Sequence, residues 1–346
     1  MHDVHANPER HVLKPIFTQS PSKFQVNCKN ESFSKLIAIN CKFDGPDIQP
    51  PKAVLDLVSH SISDATKRAY RADLQHFEAT GRTIPASPAD VASYLAEMAD
   101  HFAVATIGRR LASLAKAHRS SGHGNPCEAE LVRSTMRGIR RSFGTKQRQA
   151  AAILRDDLFA MLDRLGDQRL KDIRDRALLL IGFATAMRRS ELASLDIEDI
   201  EFTAKGMMVT LRRSKTDQEG QGRRIAVPFG RTRHCPVTAL KAWLTILDRS
   251  SGPIFVRINK HGQKLDRRIL GEAVSRVVKT RIAEAGYDPK SFSGHSLRAG
   301  FATSAAEAGA STFKIRQTTG HRTETSLSRY IRDVDLFADA AISRSL

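Results

Sequence analysis

Apolar positions are spaced very differently along the chain. Up to about Pro51 they come in short pieces without a sustained period, and Asp44-Gly45-Pro46-Asp47 and Pro50-Pro51 close the stretch with turn and linker chemistry. Residues 1–51 therefore read as an N-terminal arm, flexible in character. From Ala53 to Phe143 the spacing is helical. It predicts a helix over 66–77, with Ala69, Tyr70, Leu74 and Phe77 inward and Lys67, Arg68, Arg71 and Asp73 outward. Ser87-Pro88-Ala89-Asp90 reads as an N-cap followed by proline, opening a helix that carries Val91, Tyr94, Leu95 and Met98. Further helices follow over 106–118 and 128–139, so 52–143 forms a bundle of four or five helices.

The pattern changes after a basic connection at 144–149. Asp156 and Asp157 open a helix, and the apolar run over 174–186 makes a buried helix that delivers Arg188 inward. Residues 207–211 and 224–227 are strand-like, and the polar, glycine-containing 217–222 between them marks a β-hairpin. Everything after Pro236 reads as helical, over 238–247, 265–285, 296–308 and 312–318, with Gly309 and Gly320 at helix ends. The fold class is mainly α: a helical bundle, then a mixed α/β domain over 150–332 with a small antiparallel sheet, then a tail over 333–346.

Composition narrows the partners. A chain of 346 residues that is 41% hydrophobic and 27% charged has enough apolar material for two globular domains. Lys and Arg outnumber Asp and Glu by 55 to 37, and a net charge of +18 favours a polyanionic partner. The excess is localised. Arg109, Arg110, Lys116, His118 and Arg119 crowd one helix, and 133–148 holds Arg133, Arg137, Arg140, Arg141, Lys146 and Arg148 with no acid. Arg109, Arg110, Lys116, Arg137, Arg140 and Arg141 are the candidate contacts to a nucleic-acid backbone. Cys28, Cys41, Cys127 and Cys235 lack the spacing of a disulfide framework or zinc site and read as free thiols. The first 22 residues lack the apolar run of a signal peptide, and the longest apolar stretch, 177–187, is too short to span a membrane. A cytoplasmic protein with no membrane partner is expected.

The chemistry lies in the second half. Arg188 sits in Thr185-Ala186-Met187-Arg188-Arg189-Ser190-Glu191-Leu192, and Glu191, three residues on, shares a helical face with it. His295-Ser296-Leu297-Arg298 pairs a histidine and an arginine at the same spacing, followed by the small residues Ala299, Gly300, Ala302 and Thr303, which permit close backbone approach. His321 follows Gly320, and Tyr330 lies nine residues later. Arginines grip phosphate oxygens in bidentate fashion, imidazoles move protons near neutral pH, and a phenol is a covalent nucleophile once deprotonated. His295 and His321 lack the i, i+4 partner of a zinc helix, so no metal and no cofactor is expected. The set is equipment for attacking a phosphodiester with a tyrosine hydroxyl.

This order and spacing resemble the tyrosine recombinase (phage integrase) family, whose pattern is Arg…His-x-x-Arg…His/Trp…Tyr. The likeness runs from Ala53 to the C-terminus and is most specific over 173–332. The helical domain, with Thr66-Lys67-Arg68-Ala69-Tyr70, is similar to the family's SAM-like core-binding domain. Arg213-Ser214-Lys215-Thr216 and Tyr330-Ile331-Arg332-Asp333-Val334-Asp335 look most like the Cre branch. The resemblance implies that Arg188 and Arg298 bind the scissile phosphate, with Glu191 as the acidic partner of Arg188. It makes His295 a proton acceptor or phosphate ligand, Lys215 the general acid, His321 a hydrogen-bond donor to phosphate, and Tyr330 the nucleophile forming a 3′-phosphotyrosine. Ala186-Met187 departs from the Gly-Leu of many members. The implied activity is site-specific recombination of double-stranded DNA through a Holliday junction. It would occur in a homotetramer joined by exchange of the tail, which carries Val334, Leu336, Phe337, Ala340 and Ile342. Type IB topoisomerase activity and a non-catalytic DNA-binding regulator are the alternatives.

Overall fold

The computed structural model describes residues 51–145, 149–212, 222–321, 323 and 327. The N-terminal arm, Lys215, Tyr330 and the tail lie outside these. The chain divides into two compact units, the first ending at Gln147 and the second beginning at Arg148. Among the described residues no helix is long and apolar enough to cross a membrane.

Among the described residues of the first unit five α-helices, α1 (Lys52–His60), α2 (Asp64–Ala79), α3 (Pro88–Met98), α4 (Val104–Ser120) and α5 (Glu130–Phe143), follow one another. The Ser87 side chain caps α3 and Asp90 returns the bond to the Ser87 backbone, so the expected start is a full capping box. Leu74, Phe77, Tyr94, Leu95, Met98, Ile107, Leu114, Val132, Met136 and Ile139 close one core. Asp73, expected outward, is 2% exposed. It accepts two bonds from Arg109, at 2.7 and 3.0 Å, and lies 3.7 Å from Arg110 Nε. Arg110 stacks on Phe102 at 4.0 Å and donates to His76 Nε2 at 3.1 Å, while His76 Nδ1 pairs with the Tyr94 hydroxyl at 2.9 Å. A buried carboxylate needs such partners, and it recruits them from the basic helix. His118 is fully buried too, bridging the Ala86 N–H and the Leu114 carbonyl. Arg110 and His118 of the basic helix α4 are thus internal scaffolding, whereas Arg109 and Arg119, like Arg137, Arg140 and Arg141 on α5, are exposed.

The second unit starts with α6 (Arg155–Asp163), the apolar α7 (Leu170–Ala184) and the short α8 (Arg189–Ser194). An antiparallel sheet in the order β1-β2-β3 follows, from β1 (Ile200–Thr203), β2 (Gly206–Leu211) and β3 (Arg223–Pro228). The hairpin expected from the sequence is β2–β3, with Leu211 opposite Arg223, and β1 adds an edge strand beyond it. After α9 (Pro236–Leu247) the chain is not wholly helical. A second hairpin, β4 (Val256–Ile258) and β5 (Lys264–Arg268), precedes α10 (Gly271–Glu284). Residues 265–268, expected at the start of a helix, are strand, because Asn259-Lys260-His261-Gly262 turns the chain back onto the β-branched stretch before it. Then come α11 (Ser296–Glu307) and α12 (Thr312–Thr319).

Two features hold the site region. Asp172, Arg174, Asp175 and Arg281 are all buried, and each charge in this network is paired. The Ile153 N–H donates to the Ser296 carbonyl, and a Cβ at Gly300 would fall 1.7 Å from the Ile153 carbonyl oxygen. The small residues after Arg298 therefore let α11 lie directly against a backbone strand.

Candidate active site

Arg188 reaches the site through a turn. The Thr185 hydroxyl ends α7 by donating to the Ile181 carbonyl at 2.6 Å. Ala186 then adopts φ +50°, a conformation that side chains disfavour, and Met187 anchors the turn in the core at 1% exposure. Arg188 follows in extended geometry as the N-cap of α8. It does not share a helical face with Glu191; the two meet as N-cap and third helical residue. The Glu191 carboxylate, 4% exposed, accepts the Arg188 backbone N–H at 2.9 Å and the guanidinium at 2.6 Å. One buried acid caps the helix and fixes the arginine at once.

Arg298 stands in the first turn of α11 and is 1% exposed. Its Nη1 donates to the Ala186 carbonyl at 2.8 Å and also to the Thr319 carbonyl. The left-handed turn at Ala186 thus presents its oxygen to the second arginine. The Ala-Met departure falls where glycine would adopt the backbone without strain, so it is a conformational change as well as an apolar one.

His295 is the N-cap of α11. Enclosure by protein, and then the charges of Arg298 and Arg188, hold its imidazole below the ordinary value. His321 follows Gly320, which ends α12 at φ +68°. Burial pushes His321 down to about 3, with Arg298, Arg188, His295 and Arg223 adding repulsion. The Thr319 hydroxyl donates to the Ile315 carbonyl at 2.8 Å, so its 2.9 Å contact with His321 Nδ1 requires the imidazole to donate. Nδ1 carries the proton of the neutral ring, and Nε2 is the nitrogen that titrates.

Arg188, His295, Arg298 and His321, from segments far apart in sequence, come together in one electropositive cluster. Lys215 lies in the connection between β2 and β3 and, like Tyr330, outside the described residues. Arg223 at the start of β3 belongs to the same electrostatic neighbourhood, feeling Glu191 and Arg188 and acting on His321. It belongs to no motif of the chain. Its signal was strand alternation, since Ile225 and Val227, at the same phase as Arg223, are both buried.

A cluster of guanidinium and imidazole groups around the buried Arg298 and Glu191 is suited to an anionic ligand. The model of the phage integrase family matches residues 153–335. The integrase/recombinase XerD homologue of Selenomonas ruminantium is 37% identical over 293 residues, covering 82% of this chain and 86% of that protein. Recombinase Cre of Escherichia phage P1 is 31% identical over 270 residues, covering 72% and 77%. Among solved structures, the XerH site-specific recombinase bound to a palindromic difH substrate aligns with a TM-score of 0.61 at 16% identity, over 90% of this chain and 94% of that one. A lambda integrase dimer bound to a COC′ core site aligns with a TM-score of 0.56 at 17% identity, over 80% and 91%. At those identities the structural likenesses speak for the fold. The chain belongs to the phage integrase family of tyrosine recombinases and is an enzyme of the site-specific recombinase type.

Proposed function

We propose that this enzyme cuts and rejoins duplex DNA at a specific sequence through a covalent tyrosine intermediate. The observation that carries the reading is the convergence of Arg188, Arg298, His295 and His321 on one pocket. Arg188 and Arg298 hold the non-bridging oxygens of the scissile phosphate and stabilise the charge that builds there. Tyr330 Oη attacks phosphorus as His295 takes the phenolic proton. The bond to the 5′-oxygen breaks, and Lys215 protonates that oxygen, leaving a 3′-phosphotyrosine and a free 5′-hydroxyl. One phosphate ester replaces another, so the bond energy is kept for religation and the exchange needs no ATP. Anionic phosphate offsets the repulsion on His321 and raises its proton affinity, so Nε2–H becomes a donor once DNA is in place.

The DNA-bound XerH and lambda integrase likenesses support double-stranded DNA as the partner. Lys116, Arg137, Arg140 and Arg141 of the first unit follow its phosphates, with Arg109 contributing its half-exposed guanidinium and Arg110 holding the helix from within. Two DNA sites are brought together in a homotetramer joined by exchange of the 333–346 tail, and strands exchange in pairs through a Holliday junction.

A nicked suicide substrate tests the chemistry. The wild-type protein should accumulate an SDS-stable adduct, whereas Tyr330→Phe should bind DNA with nearly unchanged affinity and form none. An adduct in the variant reassigns the nucleophile, and efficient relaxation of plasmid lacking any specific site moves the activity to a topoisomerase.

A further inference from the structure

We infer that Arg223 is a third arginine of the phosphate pocket, entering from β3 and offering Nε and Nη2 to an anionic oxygen of bound DNA. The inference rests on the pocket being a phosphodiester site and adds a residue that neither the motif nor the family pattern includes.

Four observations carry it. Nε and Nη2 of Arg223 are both buried and have no hydrogen-bond partner among the described residues. Arginine donors are costly to remove from water unmatched, so such a pair is normally satisfied by a carboxylate or a carbonyl, or else waits for a ligand. The nearby acid, Glu191, binds Arg188 through both oxygens and accepts from neither of these nitrogens. The backbone makes room for the group: Gly320 sits at φ +68°, and a Cβ there would fall 2.0 Å from Arg223 Nη1. Finally, Arg223 lies among like charges. Burial and Arg188 lower its proton affinity, and it acts with Arg188 and Arg298 on His321. Among the described residues Arg188 and Arg223 face the one carboxylate of Glu191, an arrangement that water-excluding protein tolerates poorly and that an anion relieves.

The third arginine has a specific use. When the tyrosine oxygen adds to phosphorus, negative charge on the equatorial oxygens increases before the 5′-oxygen departs. A donor placed before the reaction, requiring no rearrangement, stabilises that state more than the ground state. Arg223 also begins the strand after the connection that carries Lys215, so phosphate contact at Arg223 couples pocket occupancy to the base of that hairpin.

Two measurements on the full chain test the assignment. In single-turnover cleavage of the suicide substrate, Arg223→Ala should slow adduct formation by on the order of 10²-fold, with Arg223→Lys recovering part of it. With one epimer of a methylphosphonate at the scissile position, where a neutral methyl replaces a non-bridging oxygen, the deficit of Arg223→Ala should shrink to less than about 5-fold. Equal deficits on both substrates, or no deficit on the natural one, overturn the inference. The second measurement needs no nucleophile: inorganic sulfate should raise the melting temperature of the wild-type protein, and Arg223→Ala should lose most of that rise. An undiminished rise in the variant overturns the anion contact. A sulfate effect that depends on Arg223 in a protein forming no adduct upholds it while refuting the tyrosine chemistry.

Discussion

Removing the Glu191 carboxylate tests whether one side chain both builds the site and tunes it. Glu191→Ala deletes two bonds, the N-cap contact at 2.9 Å and the guanidinium contact at 2.6 Å. Losing a helix cap costs about 0.5–2 kcal/mol. Losing a charge-assisted bond to a partly buried arginine costs about 1.5–3 kcal/mol. The Arg188 side chain is 21% exposed, and water recovers some of the second amount, so a total near 3 kcal/mol is expected. Glu191→Gln keeps an acceptor for the N-cap N–H and should cost about 1–2 kcal/mol. The chain has one tryptophan, Trp243, which is fully buried in the core of the second unit. Urea unfolding followed by its fluorescence therefore reports on the unit that holds the site, apart from the first unit. Cleavage should fall as well, by on the order of 10²-fold for Glu191→Ala, because Arg188 is no longer held for phosphate. A midpoint corresponding to less than about 0.5 kcal/mol of change, together with wild-type cleavage, would refute both roles.

Two further outcomes follow from the geometry. Gly300→Ala should destabilise the second unit by about 3 kcal/mol in the same Trp243 assay, because the new Cβ meets the Ile153 backbone, which cannot yield; an unchanged midpoint would show that α11 does not lie on that strand. Because the folded His321 titrates at about 3 and an ordinary imidazole at 6.5, the unfolded chain binds more protons between those values. Stability should therefore be flat above about pH 7 and decline as pH falls through 6.5, by up to about 2 kcal/mol at pH 5 from this residue, and His321→Gln should show a shallower decline. Identical pH profiles for the two proteins would contradict the repulsive pocket.

The site was readable in sequence to the extent that its groups are unusual together. Arg188, His295, Arg298 and His321 stood out by order and spacing, and the structure brings them to one place. What escaped were residues whose role depends on packing. Asp73 looks like a solvated acid on a polar helix face, and only the approach of α4 against α2 buries it with Arg109 and Arg110. Arg223 looks like one more basic residue in a basic chain. The β4–β5 hairpin was missed because a three-residue strand of Val256, Arg257 and Ile258 is too short for its period to be distinguished from a helix. Local pattern encodes elements; the pairing of distant charges is set by which elements meet.

One nitrogen, Nη1 of Arg298, joins the turn at Ala186 to the end of α12 at Thr319, partners 112 and 21 residues away in the chain. A polypeptide still emerging from the ribosome holds Arg188 long before it holds Thr319. Until the later segment is made and docked, the turn before Arg188 lacks its tie, and His321 does not yet exist to complete the pocket. The tie between these segments can therefore form only late in synthesis. For an enzyme of the site-specific recombinase type, chain connectivity thus orders the assembly of this part of the fold.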